Sequence, residues 1–344
     1  MEASAPQDHP DLQGNKEQVK SSSILDRFGG QRGSSVLVSL APFLLLIVVI
    51  VVMTIGNPRF LSPVNLETLA VQTSGLLVMA IGVTFVVLMG SIDISFAEVA
   101  NAVSVILALA ITQWGLGFWA FPLALLLGIF AGWLNGFLLV RARIPSLVAT
   151  LGTMGMWTGL AYVLSGGPPV GMHTHDQFIN WITGNTLGLP NELLIALGVT
   201  LSSLVVLRFT WFGRAIYAIG AGERVAQLSG VTVGRYKIIA FVICSVCAAL
   251  GGIILAGRIK AGAPVLSSGY LLYVLAAVVV GGTALTGGVG GPIRTLVGAL
   301  IITMLRNGMN VVGVDAFAQQ VVLGLVLIVA VGVTIDRSKI PIIK

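Results

Sequence analysis

Two carboxylates, Asp93 and Glu98, stand well inside apolar sequence in the first half of the chain. A charge surrounded by hydrocarbon is costly and normally faces a cavity or a partner. Asp93 lies in the polar break Gly90-Ser91-Ile92-Asp93-Ile94-Ser95, where freed backbone groups also need partners. It is read in two ways: Asp93 and Ser95 line a polar route, or Ser91 or Asp93 caps the next helix. Glu98 and Asn101 are three apart and share a helical face that should not meet lipid. Towards the other end, Thr303, Arg306 or Asn307, and Asn310 form a second polar stripe. Arg306 should pair there with an acid, Asp93 or Glu98, or with carbonyls. Asn135, Ser146, Thr150 and Thr153 add amides and hydroxyls, with Trp157 just beyond them. Thr283 sits in the glycine-rich run Gly281 to Gly288.

Other chemistries lack their parts. No Gly-Lys dipeptide occurs, so a Walker-type phosphate loop cannot be built and no catalytic site is expected. His173-Thr174-His175-Asp176 resembles a metal cluster but has no further ligand at helical spacing, and is read as solvated loop. Cys244 and Cys247 have a Cys-x-x-Cys spacing inside the apolar run 238–256, and are read as small thiols buried between helices.

The elements that position these residues follow from composition. The 344 residues are 56% hydrophobic and 9% charged, against about 25% charged in soluble domains. The solvent for most side chains must be lipid, and the net charge of +6 then reflects basic loops rather than nucleic-acid binding. Crossing hydrocarbon takes about 20 apolar residues as a helix. Runs at 36–56, 69–90, 96–113, 118–140, 146–164, 192–208, 238–256, 270–287, 293–312 and 317–335 predict an all-α polytopic membrane protein with about ten spans. Residues 1–33 read as a cytoplasmic tail whose last part, Ser23 to Phe28, lies on the membrane surface; 34–338 form the membrane domain, and 339–344 a second tail. With the N-terminus inside and the runs alternating, fifteen of the nineteen bases fall in inner loops. Only Arg59, Arg258 and Lys260 fall outside, which places both termini in the cytoplasm.

Two halves resemble each other. Asn135-Gly136 precedes Leu151-Gly152 at the spacing at which Asn307-Gly308 precedes Leu323-Gly324, and the break at 90–95 has its counterpart at 281–288. Transporters are often built from such repeats, with substrate handled at broken helices. Gly128, Gly132 and Gly136 form a ridge at spacing four, suited to close helix packing or to a sliding seam.

The polar segment 208–237 is too charged to enter lipid. Within it, Glu223-Arg224-Val225-Ala226-Gln227-Leu228-Ser229 predicts two helical turns between Gly222 and a terminating Gly230. Val225 and Leu228 share a face that needs a partner or the membrane surface. The runs Gly213-Arg214-Ala215-Ile216-Tyr217-Ala218-Ile219-Gly220, Ala226 to Val231 and Arg235-Tyr236-Lys237 resemble the coupling loop of the ribose-type sugar permeases of bacterial ATP-binding-cassette importers. The Gly90 to Ser95 break is similar to that family's Gly-Ile-Asp-Leu-Ser motif, and Gly281-Gly282-Thr283, Gly287-Gly288 and Asn307-Gly308 agree in order. The resemblance covers residues 55 to 335. It departs at Glu223-Arg224-Val225, where the older importer pattern is Glu-Ala-Ala.

That resemblance implies a bacterial inner-membrane permease subunit for a monosaccharide or similar small solute. Its implied partners are an ATP-binding subunit docked on the Glu223 to Gly230 segment, an extracytoplasmic solute-binding protein, and a second permease chain. ATP and Mg would be used by the ATPase, with no cofactor bound here. Trp157 would offer a ring face to a sugar or anchor the membrane interface. Rival readings are a branched-chain amino acid permease, an ion-coupled carrier using Asp93 or Glu98, and a structural membrane protein.

Overall fold

The computed structural model describes residues 24–172 and 177–334, with side chains from Leu40 to Gly332 apart from Ala316. The His173 to Asp176 cluster, the tail up to Ser23 and the tail at 339–344 lie outside the described residues. The chain forms two compact units, residues 1–41 and 42–344. Of the first, the described part is the start of helix α1 (Ile24–Gly56).

Among the described residues the second unit holds the rest of α1 and twelve further helices: α2 (Pro63–Leu88), α3 (Phe96–Thr112), α4 (Ala120–Val140), α5 (Ser146–Ser165), α6 (Gln177–Ile182), α7 (Asn191–Phe209), α8 (Trp211–Ala221), α9 (Glu223–Leu228), α10 (Val233–Ile259), α11 (Tyr270–Val280), α12 (Pro292–Val311) and α13 (Ala316–Thr334). Each apolar run of the sequence falls on one of these helices. Five of them (α2, α4 with its preceding turn, α5, α7 and α10) are long and apolar enough to cross a membrane. Parts of α1 and α13, with α3 and α11, are shorter apolar helices.

Several boundaries move, for local reasons. Helix α2 starts at Pro63 rather than 69, because Ser62 caps it through Asn65 N–H and Pro63 fills the first turn, where no amide is needed. Helix α11 stops at Val280 rather than 287, since Gly282 takes a left-handed conformation. Helix α10 begins at Val233 rather than 238, so Arg235 and Lys237 belong to the same helix as the apolar run. Small strand pairs tie Val170–Gly171 to Ala261–Gly262, and Asn185–Thr186 to Leu189–Pro190.

Helix α10 is the centre of the packing. The glycine ridge of α4 lies against it: a Cβ at Gly128, Gly132 or Gly136 would strike Ser245 O, Phe241 O or Ile238 Cα. On its other sides Gly251 meets Met79 of α2 and Gly252 meets the Ala100 backbone of α3. Close backbone approach through glycine replaces the hydrophobic drive that lipid cannot supply.

Candidate functional site

The first break, 89–95, is held as a turn of known chemistry. Asp93 Oδ1 accepts the Ser95 N–H at 2.8 Å and the Ser95 hydroxyl at 2.7 Å, an Asx turn just before α3, whose N-cap residue is Ser95 rather than Ser91 or Asp93 and carries no side-chain capping bond. Ser95 Oγ in turn accepts from Asn135 Nδ2 on α4 at 2.8 Å, and Asn135 Oδ1 accepts the Thr153 hydroxyl of α5 at 2.6 Å. The Cys244 thiol of α10 also faces Asp93. Asp93, Ser95, Asn135 and Thr153 are all buried, so the relay is an internal polar seam joining three helices. Ser146 Oγ accepts the Ile92 N–H, fastening the break to the start of α5. Thr150 lies one turn further on and bonds its own helix, to Ser146 O.

A second polar group forms on α3. Asn101 donates to Glu98 Oε2 at 2.9 Å and accepts the Ser267 N–H at 2.7 Å. Ser267 belongs to the segment 261–268, which covers this face, with Ala263 N–H donating to Ser104 Oγ. Glu98 and Asn101 therefore face protein, in keeping with their spacing.

The other candidates lie apart from these two groups. Thr283 is in the second break, where its Oγ1 accepts from Gly291 N–H at 3.4 Å. Asn307 is buried, and its Oδ1 has no hydrogen-bond partner among the described residues. Asn310 accepts from Gln319 Nε2 of α13 at 2.7 Å. Arg306 departs from the expected acid partner: its guanidinium lies 4.3 Å from the Tyr273 ring centroid, a cation–π contact that serves the charge instead. Trp157 is 2% exposed and meets Phe130 edge to face at 6.3 Å. In this conformation it offers no open ring face and anchors no interface. Cys244 and Cys247 are free and buried, as their apolar setting implies.

The segment 208–237 resolves into two helices. Thr210 caps α8, its Oγ1 accepting Gly213 N–H. After Gly222 comes α9, closed by Val231 N–H on Ala226 O with Gly230 in the left-handed conformation. Ala226 points inward, while Val225 is 68% and Leu228 83% exposed; Arg224, Gln227, Ser229 and Gly230 are exposed as well. Glu223 receives both its hydrogen bonds from Lys237 Nζ at 2.7 Å, bracing α9 against the first turn of α10.

The sequence reading missed the junction behind α9. The two breaks touch: Gly288 N–H donates to Leu88 O at 2.9 Å, and a Cβ at Gly287 would lie 2.7 Å from Gly90 N. Gly220, near the end of α8, seals the same point, where a Cβ would run into Leu88 O and the Gly288 amide. Three backbones thus meet with no side chain between them. The glycine spellings were visible in the sequence, but nothing there said that they converge. Tyr217 on α8 adds a further tie, its hydroxyl donating to Gly290 O at 3.0 Å. Burial pushes this phenol up, with the Arg294 guanidinium opposing, so it stays protonated as a donor.

Comparison with known proteins places this architecture. No solved structure matches. Ribose import permease protein RbsC of Bacillus subtilis (strain 168) is 37% identical over 305 residues, covering 88% of this chain and 94% of that protein. L-arabinose transport system permease protein AraH of Escherichia coli (strain K12) is 36% identical over 290 residues, 82% of this chain and 85% of its own. A probable ABC transporter permease protein, YphD of the same strain, is 35% identical over 286 residues, 81% of this chain and 84% of its own. The family model described as branched-chain amino acid transport system / permease component matches residues 65–331, so this chain belongs to that permease family.

Proposed function

We propose that this protein is the membrane-spanning, non-catalytic subunit of a bacterial inner-membrane ABC importer, and that it passes a monosaccharide or similar small polar solute. The observation that carries this reading is the exposed α9, joined through Gly220 to both helix breaks. A short helix with Val225 and Leu228 outward and its inner face fixed is built to receive force from a docked partner. The junction gives that force a route to Asp93 and Thr283. The names of the ribose and arabinose relatives support a sugar as the solute.

In this scheme a separate ATP-binding subunit uses ATP and Mg and grips the Glu223 to Gly230 segment. A solute-binding protein delivers the sugar at the opposite mouth, and a second permease chain completes the route. Both termini are cytoplasmic, as the distribution of bases implies. The route would be lined by Asp93, Ser95, Glu98, Asn101, Asn135, Thr150, Trp157, Thr283, Asn307 and Asn310. Several of these are sealed in the conformation described, so the relay through Ser95 and Asn135 would have to part during transport. A polar route that binds weakly suits release on the far side.

The test is uptake of a panel of pentoses and hexoses into liposomes holding this chain, its co-purified ATPase and the binding protein. Val225→Asp with Leu228→Asp should abolish ATP-driven uptake and the ATPase association. Thermal stability should hold, since both side chains are exposed. Uptake by the chain alone, driven by an ion gradient and indifferent to this double change, would replace the importer with a secondary transporter.

A further inference from the structure

A crevice of about 370 Å³ opens where α7 ends and α12 begins. Phe43, Leu204 and Ile293 line it with apolar surface, Arg208 and Arg294 line it as well, and Tyr217 reaches it from α8. The residues beside it, Leu201, Val205, Phe209 and Trp211, are exposed and apolar. Exposed apolar side chains of α7 and α8 thus lie near the crevice, whose charged lining residues are Arg208 and Arg294. Arg208 stands in the last turn of α7, a helix long and apolar enough to cross a membrane, so in a bilayer this part of the crevice would lie at headgroup depth.

We infer that this crevice binds an anionic phospholipid, its phosphate between Arg208 and Arg294 and an acyl chain along Phe43, Leu204 and Ile293. Basic pockets between membrane helices take such headgroups, and guanidinium pairs phosphate through fixed, parallel donors. Arg294 also donates to Gly282 O at 3.2 Å, and the crevice is lined by Gly290 and Gly291. The lipid thus rests against the second break and, through Tyr217, against the helix that leads to α9. Occupancy would stiffen that corner and tie transport to the charge of the bilayer.

Native mass spectrometry of the purified full chain, with its ATPase where it co-purifies, reads this directly. The probes are phosphatidylglycerol, phosphatidylcholine of the same chains, and inorganic phosphate. Phosphatidylglycerol should be retained in preference to phosphatidylcholine, and unaffected by millimolar phosphate. Arg208→Gln should weaken retention about fivefold, the worth of one basic residue at a membrane surface. Leu204→Trp, which fills the apolar wall but keeps both arginines, should reduce it further. Equal retention of both lipids by all three proteins would overturn the inference in favour of general annular lipid. Displacement by phosphate would make the site one for a free anion. Loss of a dimer in Leu204→Trp, with lipid unchanged, would give the face to a second chain. None of these readouts requires sugar uptake, so they stand apart from the transport assay.

Discussion

Asn135 donates to Ser95 and accepts from Thr153 eighteen residues away, so both ends of its amide are used. Its counterpart Asn307 has Leu325 at the corresponding spacing, and its Oδ1 is left without a partner among the described residues. The two halves therefore share the asparagine but not the acceptor relay. Removing a buried group that others depend on costs about 1–3 kcal/mol, whereas removing an acceptor that already lacks a partner costs little. Asn135→Leu should accordingly lower thermal stability in detergent by that amount, and Asn307→Leu by less than about 1 kcal/mol. Equal losses would mean that the relay contributes nothing particular. The residue types of this relay could be read in advance, because a carboxylate and amides in apolar sequence must find partners. Their pairings could not: Asn101 finds Ser267 and Ser104 finds Ala263, more than 150 residues away, and helical periodicity carries no information on which distant segment covers a face.

At the scale of elements, the helices were legible wherever lipid selects long apolar runs, and less so where the chain leaves lipid. Hydropathy cannot see that Ser62-Pro63 starts α2 early, or that α10 already includes Arg235 and Lys237 ahead of its apolar run. Nor does it distinguish α8, a helix with one buried face of Gly213, Ala215, Ile216 and Ile219, from the loop around it. The two glycines ahead of α9, Gly220 and Gly222, look alike in sequence and differ in space. Gly220 has Leu88 O and the Gly288 amide where a side chain would start, while Gly222, in extended backbone, has only ordinary contact with Val225 at 3.7 Å. Gly220→Ala should abolish uptake, through displacement of α8 from the breaks, at unchanged membrane abundance of the complex. Gly222→Ala should retain at least half of it. Uptake assays beside immunoblots separate these outcomes, and an active Gly220→Ala would rule out the backbone junction as the route of coupling.

For the molecule as a whole, α10 is the member against which α2, α3 and α4 are built, and glycine sets the distance at each contact. Gly132 on α4 faces Phe241 and Val242 backbone, while Gly155 on α5 faces open space. Gly132→Leu should prevent accumulation of folded protein, by overpacking worth several kcal/mol, and Gly155→Leu should accumulate normally; fluorescence-detected gel filtration of tagged variants reads both. The same central rod holds both of the chain's cysteines, free and buried. The native protein is therefore already a blank background for thiol-reactive dyes. A cysteine placed at Leu228, 83% exposed, and another at Leu187, 95% exposed, would be an accessible pair, so the separation of α9 from the hairpin at 185–190 could be followed by single-molecule fluorescence without first stripping the core.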